Sequence, residues 1–513
     1  MTRSSAAADT DRRGMRGLHA NVPVFFTSIL VILAFVVATL SAGDAAERIF
    51  KSVQDTIAEN GGWFFVLSAN CVLVYAVFLM IGRHGNIRLG GIDTAPEFST
   101  PAWLAMLFSA GMGIGLVFWA VAEPLYHYSS PPPPSHAAAK YELGQEAMGL
   151  TFLHWGLHPW AIYAVMGLGI AFAGYNRGLP LTIRSIFHPL IGERIHGFWG
   201  HLIDILAVLA TLLGVATSLG FGVSQINAGL KVAFGAEISL AIKLWLVAGI
   251  TAIATISVVT GIGRGIRRLS ELNMIAAGVL MFFLLAVGPT LFILNGFVEN
   301  IGYYLQNFAR LATWDETYTG GHWQNSWTVF YYAWWLSWAP FVGMFIARIS
   351  YGRTVREFIF AVLVVPTLLG FAWLTVFGGA ALDIEIFGTG GLVAELGLGV
   401  EHALFALLDR FPFAFWTSLL ATLVIVTFFV TSSDSGSLVI DIIAAGGEPD
   451  PPVGQRVFWA AMEGVVAAVL LVGGGLTALQ TASIITGLPF AVVLLLTCWS
   501  LARWFSQESR FLP

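Results

Sequence analysis

Aromatic rings crowd two apolar segments of this chain. Residues 330–344 read FYYAWWLSWAPFVGM, and residues 152–163 read FLHWGLHPWAIY. Trp335 and Trp338 are three residues apart, as are Trp160 and Tyr163, so each pair shares one side of a helix. Ring faces attract a cation that has no N–H to donate, such as a quaternary ammonium group, to which a pocket of hydrogen-bonding groups offers nothing. Trp155, Trp160, Tyr163, Trp334, Trp335 and Trp338 are therefore candidates for a cation cage. Ordinary helix packing accounts for any one of these rings, but less well for the set.

Two further groups could do chemistry. The stretch FFVTSSDSGS places the hydroxyls of Thr431 and Ser432 side by side. Sodium, like other hard cations, wants several oxygen ligands, often carbonyls freed by an unwound helix. The competing reading is hydroxyls bonding back to the carbonyls of their own helix, and spacing alone does not choose. His154 and His158 have the spacing of a metal pair on one helical face. The glutamate of a zinc peptidase is missing, since Trp155 follows His154, and Pro159 distorts the helix. Hydrogen bonds to neighbouring helices are the better reading, and a membrane enzyme built on this pair is a remote one.

These residues must be positioned inside a bilayer. The chain has 513 residues, 57% of them hydrophobic and 11% charged, with a mean hydropathy of +0.79. A soluble domain is about half apolar and about a quarter charged. Net charge is only -5, and no basic run suggests nucleic acid. Cys71 and Cys498 lie in apolar runs and suggest no disulfide framework. Apolar runs at 23–42, 62–82, 101–126, 148–174, 201–232, 238–261, 270–297, 327–350, 356–381, 412–435, 454–473 and 478–503 each suffice for a transmembrane helix. The first is too long for a signal-peptide core. An all-α polytopic protein of twelve transmembrane helices follows, with both termini on one side. Arg83/Arg88, Arg264/Arg267/Arg268 and Arg348/Arg353/Arg356 make that side cytoplasmic. Residues 1–22 form a cytoplasmic N-terminal segment, 23–503 the transmembrane domain and 504–513 a short cytoplasmic tail. The longest outward loops, about 298–326 and 382–411, carry apolar stretches suited to surface helices. Trp327 opens its span as an interfacial belt residue, whereas Trp334, Trp335 and Trp338 lie roughly 10–17 Å deeper at about 1.5 Å per residue.

Two spans carry helix breakers at mid-depth. The third has GMGIG at Gly111–Gly115, and the eighth has WAPFVG at Trp338–Gly343. Interrupted helices at corresponding positions of two halves point to an inverted-repeat transporter with its site at the breaks. Gly115 adds a chemical constraint. A carboxylate there would supply a counter-charge and a proton-binding group, and glycine supplies neither. With no titratable group beside the cage, a net-neutral zwitterion suits it better than a bare cation, because a buried unpaired charge is costly.

GMGIGLVFWAVAEP, HWGLHPWAIY, YYAWWLSWAPFVGMFIARISYGRTVREF and VTSSDSGS together resemble the betaine/choline/carnitine transporter family, over nearly the whole chain. The resemblance implies two inverted five-helix repeats of the leucine-transporter type, at about 101–297 and 327–503, preceded by two extra helices. It also implies homotrimers in a prokaryotic plasma membrane, alternating access and no enzymatic cofactor. It puts the ammonium cage on Trp155, Trp160, Tyr163 and Trp335, with Trp338 and Trp334 beside them and Gly111, Met112, Gly113 and Gly115 at the broken backbone. It puts one sodium ion on Ser109, Met112, Phe428, Thr431 and Ser432. A second ion would use Tyr163, Phe341 and Thr211, but Val215 stands where a further hydroxyl is needed. Gly115 and Val342 are not the residues of the proton-coupled or exchanging branches. The chain thus resembles the sodium-coupled glycine betaine symporters. Choline or carnitine uptake or exchange, proton-coupled or uncoupled, is the alternative.

Overall fold

The computed structural model describes residues 20–111, 113–133, 139–260 and 263–508. These are helical throughout, joined by turns and short loops, with a single isolated β-bridge between Arg88 and Thr354. The helices used below are α1 (Val22–Ala42), α2 (Ala46–Ile81), α3 (Thr100–Gly111), α4 (Ile114–Ser129), α5 (Lys140–Trp155), α6 (Leu157–Ala171), α7 (Phe198–Phe234), α8 (Leu240–Thr260), α9 (Gly263–Val287), α10 (Thr290–Thr313), α11 (Thr328–Ile349), α12 (Val355–Leu374), α13 (Ala414–Ala444) and α14 (Val453–Glu508).

Nine helical stretches among the described residues are long and apolar enough to cross a membrane. Two of the nine are far longer than one crossing. Val22–Ile81 spans 60 residues and passes through a 3₁₀ turn at Gly43–Ala45. The 56-residue α14 is interrupted at Gly474 and Gly475, whose φ values of 153° and 55° favour glycine. Burial separates the centre from the periphery. The most apolar windows of α5–α6 and α11 are 94% and 83% buried, against 22% for α8 and for α9. The ring-bearing helices are thus the innermost, and α8 and α9 turn apolar faces outward.

The third span is broken as its glycines suggest, with α3 ending at Gly111 and α4 starting at Ile114. The eighth is not. α11 runs unbroken from Thr328 to Ile349 with Pro340 inside it. A proline removes one N–H and strains the preceding turn, yet packed neighbours can hold a transmembrane helix through it. Here Ser337 Oγ donates to the Trp334 carbonyl at 2.7 Å. Gly343 presses on α6, where an added Cβ would stand 3.1 Å from the Gly167 nitrogen. The glycine of WAPFVG therefore serves close helix packing.

The second break lies in the fourth span instead. α5 ends at Trp155 and α6 begins at Leu157, with Gly156 between them. A Cβ on Gly156 would lie 2.5 Å from the Phe152 carbonyl oxygen and 2.9 Å from the Phe371 ring. Pro159 reinforces the break, because it has no N–H for the Trp155 carbonyl. The seventh span also ends earlier than its apolar run, at Val287. Gly288 and Pro289 stop it, and α10 follows as a separate helix. The segment 382–411 forms short helices, among them Leu392–Glu395 and Ala403–Leu408, but the latter is buried and not on the surface as expected.

One contact ties distant parts of the chain. The backbone of 87–89 pairs with 352–355, through Gly352 N to Leu89 O (2.9 Å), Leu89 N to Arg353 O (2.9 Å) and Val355 N to Ile87 O (2.8 Å). Arg353 donates to Phe98 O at 2.7 Å and to Thr100 Oγ1 at 3.0 Å, and lies 4.4 Å over the Trp103 ring. Trp103 in turn donates to Ser350 Oγ at 3.0 Å.

Candidate functional site

The two breaks open on one cavity of about 560 Å³ of empty space, its mouth included. Trp155, Trp160, Tyr163, Trp334, Trp335 and Trp338 all line it, together with Gly113 and Gly115. Leu116, Val342, and Pro366 and Gly370 of α12 complete the wall. Among the described residues, no acidic or basic side chain lines it.

The rings are held edge to face and in stacks. Trp155 meets Trp335 at 4.9 Å between centroids and 67°. Trp335 stacks on Trp334 at 4.8 Å and 14°. Trp160 and Tyr163 meet at 5.4 Å and 80°. The helix break in the fourth span anchors this set. It frees the His154 carbonyl from its usual helical donor, and the Trp335 indole N–H donates to it at 2.8 Å. The two ring-bearing helices are thus cross-linked at the cavity wall.

Gly115 is glycine for lack of space. A Cβ there would stand 2.5 Å from Cη2 of Trp334 and 3.3 Å from Cη2 of Trp155. Trp334 is buried beneath Trp335 and has nowhere to retreat. A carboxylate at this position therefore requires the cage itself to rearrange.

A titratable group nevertheless stands directly behind the rings. Glu123, on α4, is fully buried. Its Oε2 accepts the Trp155 indole N–H at 2.7 Å and the Tyr331 hydroxyl. Its Oε1 faces His154 Nδ1 at 2.7 Å and His127 Nε2 at 3.2 Å. Four contacts match the acceptor capacity of a carboxylate. The expectation of no such group beside the cage is thus corrected: none lines the cavity, but one is a single hydrogen bond from its wall.

The two histidines of the fourth span go separate ways. His154 bonds Glu123 and, through Nε2, Thr328 Oγ1 at 3.0 Å. His158, beyond the break, faces Asn70 Oδ1 at 3.3 Å and stacks on Phe308. The break at Gly156 undoes the continuous helix that would pair them, so no shared metal site forms from His154 and His158. Glu123, His127 and His154 do bring ligand atoms within 4.8 Å of one another, but as members of the hydrogen-bonded cluster described above. Trp327 stands half-buried at the start of α11. It packs on the His127 ring at 4.5 Å and on Trp119 at 5.6 Å.

The oxygen candidates are less gathered. Thr431 Oγ1 donates to the carbonyls of Thr427 (3.0 Å) and Phe428 (3.2 Å), the back-bonding alternative. Its lone pairs remain available. Ser432 is half-buried next to it. Ser109 is half-buried on α3, and no hydrogen bond among the described residues joins it to α13. Met112 lies outside the described residues, and Gly111 ends α3. Thr211 is fully buried on α7, with a hydroxyl that has no partner. Phe341 packs edge-on to Trp338 at 5.5 Å. No hydrogen bond among the described residues unites Tyr163, Thr211 and Phe341.

The model of the BCCT family, betaine/carnitine/choline family transporters, matches residues 23–510. A Mycobacterium tuberculosis protein named as an uncharacterized transporter is 49% identical over 96% of this chain and 83% of its own length. A glycine betaine/proline/choline transporter of Vibrio parahaemolyticus is 46% identical over 97% of this chain and 92% of its own. The glycine betaine transporter OpuD of Bacillus subtilis is 41% identical over 95% of each.

Proposed function

This chain belongs to the betaine/carnitine/choline family of transporters, and on that footing we propose that it imports glycine betaine by sodium symport with alternating access. It is a membrane transporter rather than an enzyme. The observation that carries the substrate is the cavity wall, six aromatic rings with no acid or base among the lining residues. Ring faces hold the trimethylammonium head, and a zwitterion brings its own compensating charge. The relatives named for glycine betaine support the same choice. Glu123 behind Trp155 favours choline as a second substrate, since a net cation gains from a carboxylate one hydrogen bond beyond the ring.

Sodium belongs to the proposal through the adjacent hydroxyls of Thr431 and Ser432 and the Phe428 carbonyl. So do twelve crossings in two inverted repeats. Splitting the two overlong stretches at Gly43–Ala45 and Gly474–Gly475, and counting α3–α4 as one broken span, raises nine to twelve. The termini are taken as cytoplasmic and the membrane as a prokaryotic plasma membrane.

Uptake of labelled glycine betaine into proteoliposomes tests this reading. Accumulation is expected with an inward sodium gradient and is expected to be lost in the double variant Thr431→Ala, Ser432→Ala. Full uptake in sodium-free buffer under an inward proton gradient would sink the sodium assignment. Exchange that needs internal substrate would replace symport by antiport. The resemblance also extends the proposal to a homotrimer. Light scattering of the solubilised protein should give three times the 55.3 kDa chain mass, and a monomer at all concentrations would refute it.

A further inference from the structure

Away from the aromatic cavity, α7, α13 and the first half of α14 meet in a seam that contains a carboxylic acid. Glu463 of α14 is fully buried. Its Oε2 accepts the Ser433 hydroxyl at 2.8 Å. Its Oε1 is also buried and has no hydrogen-bond partner among the described residues. Gly436 lies close to that oxygen. A Cβ on Gly436 would stand 2.8 Å from Oε1 and 3.1 Å from a Val215 methyl.

The surroundings decide which form of the acid fits. From α13, Asp434 is the charged neighbour, and it is held by Arg456 of α14 at 3.5 Å. The guanidinium thus serves Asp434. α7 contributes the apolar Val215, and α8 contributes Thr251, whose hydroxyl abuts Gly464. An ionised carboxylate with one hydroxyl donor and an acidic neighbour is strongly disfavoured in such a place, and the group neutralises instead. Ionisable residues inside a membrane are uncommon and generally functional. A metal cation would want about six oxygens. Among the described residues, the hydrogen bonds of Glu463 bring together its own two oxygens and one hydroxyl. A proton needs only a lone pair.

We propose that Glu463 is a proton-binding site, occupied while this seam is closed and emptied when α13 and α14 part. The step is simple: the carboxylic acid gives its proton to an entering water, leaving carboxylate and hydronium, and the reverse reloads it. Ser433 is adjacent in the chain to Ser432, so the proton site sits one residue behind the hydroxyl assigned to sodium. Its link to transport rests on the sodium reading above. The proton site itself rests only on the seam.

Infrared difference spectroscopy of the purified full-length protein tests the site without substrate or sodium. Subtracting the Glu463→Gln spectrum from the wild-type spectrum should leave the carbonyl stretch of a protonated carboxyl group, shifted on deuteration. Asp434→Asn should leave that band in place. Ser433→Ala should move it to higher frequency, and this second variant serves if Glu463→Gln does not fold. Absence of the band at neutral pH overturns the proposal. For exchange of the proton, sodium-driven uptake by wild type should fall as pH rises, and Glu463→Gln should lose that response. A variant profile identical to the wild-type profile overturns the exchange. Sodium-independent uptake would defeat the sodium reading and leave the band untouched, so the two failures are distinguishable.

Discussion

Replacing Trp335 with alanine is expected to weaken glycine betaine binding about thirtyfold. A desolvated cation–π contact is worth about 2 kcal/mol, and about 1.4 kcal/mol is tenfold in affinity. Trp335 lines the cavity, packs on Trp155 at 4.9 Å and stacks on Trp334 at 4.8 Å. Its loss removes one ring face and loosens two others. Trp335→Phe separates the ring from its N–H. Phenylalanine keeps a face for the cation, but leaves the His154 carbonyl without its 2.8 Å donor. An unsatisfied buried acceptor costs about 1–3 kcal/mol. The phenylalanine variant should therefore lose melting temperature more than affinity, and the alanine variant should lose both. Calorimetric titration and thermal unfolding in detergent read the two quantities. Unchanged affinity in Trp335→Ala would remove this ring from the site.

Glu123 should prove still less dispensable. In Glu123→Ala the indole N–H of Trp155 and the Tyr331 hydroxyl lose their acceptor, and His154 and His127 lose a shared partner. Hydrogen bonds to a charged group contribute about 1.5–3 kcal/mol each. Losing several approaches the whole stability of an ordinary domain, about 5–15 kcal/mol. Little folded protein is expected from this variant. Glu123→Gln is the informative one. The amide keeps the shape, and with one oxygen toward Trp155 and Tyr331 its NH₂ can meet the histidines as acceptors. What disappears is the charge. A unit charge a ring's width beyond the box is worth about 1–2 kcal/mol at an effective dielectric constant near 20. Choline should lose about tenfold in affinity, and glycine betaine less, because its own carboxylate offsets the change. Equal losses for the two substrates would show that Glu123 acts only by positioning Trp155.

These two residues also mark how far local pattern reaches. Trp335 was legible because depth along a helix is linear in residue number, so six rings could be assigned to one level before any packing was known. The break at GMGIG was legible because three glycines in five residues leave little to hold a helix. Pro340 misled, since a proline announces one missing donor, and whether the helix survives depends on neighbours such as Gly167 that lie far away in the chain. Gly156 went unread as a break although Pro159 follows it closely, because a lone glycine in an apolar run is common. Glu123 was visible as an acid within an apolar run. Its partners lie 4, 31, 32 and 208 residues away, and no local periodicity announces such a cluster. The hydroxyls of Thr431 and Ser432 were local, but whatever else would surround an ion there comes from other helices.

The pairing of 87–89 with 352–355 has a mechanical meaning. Arg353 grips the start of α3 at Phe98 and Thr100, and Trp103 is pinned to Ser350, just past the end of α11. The first half of the broken third span is thereby riveted to the helix that carries three of the six cavity rings. A lever fixed at that end cannot swing alone. Either α3 and α11 travel as one beam, with the bending taken up at the glycines between α3 and α4, or the rivet shears and its hydrogen bonds are lost together. The first course leaves this cross-chain fastening intact and leaves any bending to fall between α3 and α4.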